Sequence, residues 1–182
     1  VHTALSEASN AGILVLRGYG GGAFTHTGPT IPAQCGSTVQ LTNSASITGG
    51  TLSTVDTGTI VNLDTATLNT LTLAGNFNAN NSTTTTLIGT ITNSGSISIN
   101  STGSYTDLSL SGNVTLTGGG TINLTNADRV LGSGILTNTN NVIQGDTNSG
   151  GGLGYNYIGI VNQAAGVINA NHGGLAMGLG PA

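Results

Sequence analysis

Lysine and tryptophan do not occur in these 182 residues, and charged side chains make up only 4% of them. An ordinary domain carries about a quarter. Arg17 and Arg129 are the only strong cations, so no basic patch exists for nucleic acid or an anionic membrane surface. The longest apolar run, AGILVL at 11–16, contains a glycine and falls far short of a membrane span. No membrane insertion is therefore expected in this segment. A charged-then-apolar leader is also missing, so an export signal is expected to have been removed or to lie outside the chain. Cys35 stands alone and forms no internal disulfide. Aromatic residues are 3% of the chain.

Scarce charge does not mean disorder here, because the hydrophobic fraction is 36% and the mean hydropathy is +0.17. What the chain has in plenty is Gly, Thr, Ser and Asn, threaded with regular Leu, Ile and Val. That mixture reads as many short strands and tight turns.

The stretch 108–124, LSLSGNVTLTGGGTINL, shows the pattern most clearly. Apolar residues at 108 and 110, 114 and 116, 122 and 124 alternate with polar ones, and glycines separate the pairs. Strict alternation marks strands that bury one face. A phrase of Gly, any residue, then an apolar residue recurs from about residue 39, as in Gly50-Thr51-Leu52, Gly89-Thr90-Ile91 and Gly120-Thr121-Ile122. LTLAGNF at 71–77 aligns with LSLSGNV at 108–114, and GGTL at 49–52 with GGTI at 119–122, offsets of 37 and 70 residues. Gly89, Gly112 and Gly134 follow at 23 and 22 residues. Irregular spacings near two dozen residues, without helical periodicity, predict a β-solenoid of short irregular coils, with roughly six coils over residues 41–171. Recurrent Asn at turns (Asn93, Asn138, Asn162) suits hydrogen-bonded ladders between coils.

Residues 1–40 read differently and are expected to form an N-terminal cap or joining segment, with residues 41–182 as the solenoid. Within the first part, ILVLR at 13–17 is a continuous apolar run, which suits a strand buried on both faces. Ile13, Leu14, Val15 and Leu16 are thus either an inner strand of a first coil or a strand that joins a neighbouring subunit.

The last third resembles the repeats of large bacterial extracellular β-helix proteins, hemagglutinin-like adhesins and autotransporter-like passenger regions. DRVLGSG at 128–134, LTNTNNVIQG at 136–145 and IVNQAAGVINAN at 160–171 carry the resemblance. The chain departs from the usual phrase at Ala164-Ala165-Gly166 and at the glycine-rich insert 150–154. The resemblance implies a right-handed parallel β-helix displayed outside the cell on a bacterial surface. It transfers no catalytic residue.

Chemistry-bearing residues are sparse. Asp107, Asp128 and Asp146 are spaced by 21 and 18 residues, which allows a Ca²⁺-binding column on successive coils. Three solvated turn residues are the stronger reading. His2, His26 and His172 are dispersed, so no zinc site is expected and they read as isolated surface histidines. Cys35 reads as a small buried residue. No catalytic residue, metal site or cofactor is expected, and an enzyme is the least favoured class.

Two functions remain. One is a structural or adhesive module whose ends, short of charged gatekeepers, stack on other copies into a homo-oligomer or filament, or continue a longer solenoid. The other is a ligand-binding module for glycans or ice. Tyr155 and Tyr157 are the candidate sugar-contacting aromatics. The Thr-x-Thr pairs 57/59, 65/67, 90/92 and 115/117 offer a candidate array, against which their unequal spacing argues.

Overall fold

The computed structural model describes residues 6–19, 23–26, 30–147, 151–155, 158–170 and 177. Every regular element among them is a strand, and every pairing is parallel. The strands form an eight-stranded sheet and a twelve-stranded one. The second bends at a corner, because the strands Thr84–Asn93 and Thr106–Thr117 run through it without a break. The result is a three-faced β-solenoid.

The inward column of the first face shows the winding. Leu14, Val39, Ile60, Phe77, Ile97, Ile122, Ile143 and Ile168 stack in register, at steps of 25, 21, 17, 20, 25, 21 and 25 residues. The six coils from Val39 to Ile168 correspond to the six expected from the sequence. A further coil precedes them, since the Ile13–Arg17 strand pairs in register with Thr38–Thr42. Beyond the two end strands the column is buried; Phe77 and Ile97 are fully enclosed. Each such side chain contributes roughly 1.5–3 kcal/mol.

The glycine-separated pairs of 108–124 are the three faces of one turn. Leu108 and Leu110 point inward from the second face, Val114 and Leu116 from the third, and Ile122 and Leu124 from the next first face. Gly112 makes the corner between the second and third faces with φ +81°, a backbone conformation that glycine adopts without steric cost. A side chain on Gly134, one coil on, would press against Gly112 at 2.5 Å. At this corner, as at Gly75 and Gly95, glycine stacks on glycine.

The 37- and 70-residue offsets are not whole coils. Leu71 lies at the corner before the third face, whereas Leu108 stacks on Thr85 in the second. Likewise Leu52 belongs to the third face and Ile122 to the first. The phrase repeats with the faces rather than once per coil, because many corners carry a glycine and the strands after them place an apolar residue second, as in Thr51-Leu52, Asn76-Phe77 and Thr121-Ile122.

Candidate functional site

The strand Ile13–Arg17 is the outermost of the first face among the described residues. Its burial corrects the expectation of a strand enclosed on both sides. Ile13 is 62% exposed and Val15 38%, while Leu16 is buried and Leu14 packs against the core. The run is continuous in hydropathy, yet one side of it faces outward like every other strand here. Beside it lies a cleft of about 220 Å³ lined by Val15, Leu16, Phe24, Ala45 and Ile47 together with Arg17 and Ser46.

The hydrogen bonds fix which way this edge faces. Thr38 N–H donates to Gly12 O and Gly18 N–H to Thr42 O. By the alternation of a parallel ladder, the N–H groups of Ile13, Val15 and Arg17 then point to the open side. That is a row of backbone donors and acceptors without a neighbouring strand among the described residues.

Tyr155 ends the strand Gly152–Tyr155, where it pairs with Leu131. Its side chain and all of Tyr157 lie outside the described residues, as do His2 and His172.

The acidic residues form no column. Asp107 faces outward on the second face, one coil from Arg129, and the two make a bidentate pair at 2.7 and 2.7 Å. The Arg129 guanidinium also lies 3.9 Å from the centre of the Tyr105 ring. Asp128 points inward and is fully buried. It accepts hydrogen bonds from Ser101 N–H at 2.8 Å and Thr125 N–H at 2.6 Å. Burial raises its pKa to about 6, against the opposing pull of those bonds. Both residues thus depart from the solvated-turn reading, since they sit on strands where adjacent residues face opposite ways. The side chain of Asp146 is not described. No group of His, Cys, Asp and Glu able to hold a metal occurs among the described residues.

Two further expectations are corrected. Cys35 is exposed, at a turn between the third and first faces, and its thiol donates to Asp56 Oδ2 at 2.9 Å. The carboxylate beside it raises the thiol pKa. His26 is fully buried and stacks on Phe24, with ring centres 6.0 Å apart.

The Asn ladder lies inside the solenoid at Asn93 and Asn138 and reaches the surface at Asn162. Asn138 donates to Asn162 Oδ1 at 2.8 Å across one coil and to Asn141 O at 2.9 Å within its own. Asn93, Asn138 and Asn141 are all fully buried at the corner between the third and first faces. Hydrogen-bonded amides here replace apolar packing where the chain turns.

Threonines on the third face come into register despite their unequal spacing. Thr51, Thr72, Thr92 and Thr117 stack in one outward column. Thr90, Thr115 and Thr137 stack in the adjacent one. The spacing argument against an array therefore fails for this face, because length differences between coils are absorbed at the other faces and corners. Of the four pairs singled out in the sequence, 90/92 and 115/117 belong to this array. Thr57 and Thr59 lie at a turn and on the first face, and Thr65 and Thr67 on the second.

No family model, curated protein or solved structure matches the chain significantly. The class that the fold defines is that of the parallel β-solenoid repeat proteins.

Proposed function

We propose that this chain is a non-enzymatic structural or adhesive β-solenoid module of an extracellular bacterial surface protein, extended by further coils stacked on its ends. The open edge at Ile13–Arg17 carries this reading. Its outward N–H groups, the exposed Ile13 and Val15 and the adjoining cleft, apolar but for Arg17 and Ser46, together match what a parallel strand needs on docking. Arg17 is the only charged gatekeeper on that strand. The hemagglutinin-like phrases at 128–171 support the extracellular setting by resemblance.

Val15→Pro tests the edge directly. It removes a donor on the open side without breaking a bond to Thr38–Thr42, a position where edge strands tolerate proline. The unaltered chain is expected to form end-to-end assemblies in negative-stain microscopy and light scattering, and the folded variant to stay smaller. Uniform monomers of the unaltered chain at high concentration would remove the stacking reading.

A further inference from the structure

The third face differs from the other two in what it presents. Its strands, Ile31–Ala33, Thr51–Thr54, Thr72–Ala74, the second halves of Thr84–Asn93 and Thr106–Thr117, Ile135–Asn138 and Gly159–Asn162, contain no charged and no aromatic residue. The second face carries Asp107 and Arg129, and the first carries Arg17. At the centre of the third face lie the seven threonines of the two stacked columns.

A second observation is independent of that composition. On the first face several outward polar side chains bond one another across coils: Thr38 with Thr59, Asn123 with Ser96, and Gln144 with Asn123. The hydroxyls of Thr51, Thr72, Thr90, Thr92, Thr115, Thr117 and Thr137 make no side-chain hydrogen bond to any described residue. Cross-coil side-chain bonds thus hold part of the first face, whereas the seven threonines at the centre of the third are not tied to one another.

We propose that this face binds ice, with the threonine array as the contact surface. Strand geometry sets the array: about 4.8 Å between coils along each column and about 6.6 Å between columns. Threonine is β-branched and held in few rotamers, so its hydroxyl and methyl are fixed without a large entropy loss on binding. Each hydroxyl can both donate to and accept from water, and each methyl orders the water against it. A two-dimensional lattice of such groups is matched by a ligand that is itself periodic, uncharged and rich in donors and acceptors. Ordered water meets that description. A sugar polymer draws on aromatic stacking that this face does not offer. The array lies along the length of the solenoid, so this inference is independent of end-on stacking.

The test uses the whole chain. Thermal hysteresis and uptake of the labelled protein into a growing ice crystal are measured for the unaltered chain, Thr92→Tyr, Thr115→Tyr and Thr67→Tyr, with folding checked by circular dichroism. Thr92 and Thr115 sit inside the array, whereas Thr67 faces outward on the second face. Ice uptake by the unaltered chain, lost in the two array variants and kept in Thr67→Tyr, is the expected result. Should either array variant misfold, the smaller changes Thr92→Val and Thr115→Val take its place, with weakened uptake expected. No uptake by the folded unaltered chain overturns the proposal. Equal loss in Thr67→Tyr overturns it too, as does binding to cellulose or chitin without binding to ice.

Discussion

Asn93 donates its side-chain N–H to Asn141 Oδ1 at 3.1 Å, although 48 residues separate them and a whole coil passes between. The intervening coil supplies Gly118, Gly119 and Gly120 at that corner, and a side chain on Gly120 would meet Asn93 Nδ2 at 2.6 Å. Glycine there leaves room for the amide to reach past its neighbour. The corner is thus tied across three coils by side chains, in addition to the backbone ladder.

Asn138 is the hub of that corner, donating to Asn141 O and Asn162 Oδ1 and accepting from Asn141 N–H. Asn138→Ala strands the buried Asn141 N–H, whereas Asn141 O keeps the Val167 N–H as a partner and Asn162 is exposed to water. The expected loss is about 1–3 kcal/mol in urea unfolding followed by circular dichroism, the cost of a stranded buried polar group. A neutral effect would show that water fills the place of the amide.

Asp128 makes stability depend on pH with a definite sign. Its carboxyl titrates at 3.8 when unfolded and at about 6 when folded, chiefly because it is desolvated. Between those values the folded state holds more protons, so stability falls as pH rises from about 4 to about 6 and stays low above. A shift of this size corresponds to about 3 kcal/mol at most. Asp128→Asn carries no proton to lose, so its unfolding midpoint in urea should be flat over that window. A slope that persists in the variant assigns the effect to another group.

Cys35 should react slowly with thiol reagents for an exposed cysteine. Asp56 accepts a hydrogen bond from the thiol and repels the thiolate, which raises the pKa. Asp56→Asn is expected to speed maleimide labelling at neutral pH. Unchanged labelling would mean that the 2.9 Å contact does not persist in solution.

The Asp107–Arg129 pair has near-ideal geometry and is part-buried on an outward face, with side chains 16% and 18% exposed. Its coupling energy in a double-mutant cycle of Asp107→Asn and Arg129→Met is expected at about 1 kcal/mol, shrinking as salt is added. A coupling several times larger would place the pair in the category of buried, desolvated ion pairs.

How far the sequence reveals this fold depends on the scale of the feature. Leu108, Leu110, Val114, Leu116, Ile122 and Leu124 are legible as inward residues because alternation is a local property of a strand. The assignment of repeats to coils is not, since LTLAGNF and LSLSGNV are alike for sharing a strand–corner–strand phrase, not a place in the stack. Cys35, His26 and Asp128 are misjudged for a related reason. Residue type sets only an average exposure, whereas the coil above and below decides each case.

The threonine face marks the same boundary. Alternation and glycine corners, both local, determine by themselves that the chain is all-β and that its strands bury one side, and the recurrence of glycines near two dozen residues gives roughly six coils over residues 41–171. Which residues meet across coils is set by how many residues each corner absorbs, and steps from 17 to 25 residues conceal that from any fixed-period reading. Only the tertiary structure could bring Thr51, Thr72, Thr92 and Thr117 into one column, because parallel pairing aligns strands and lets the corners take up the difference.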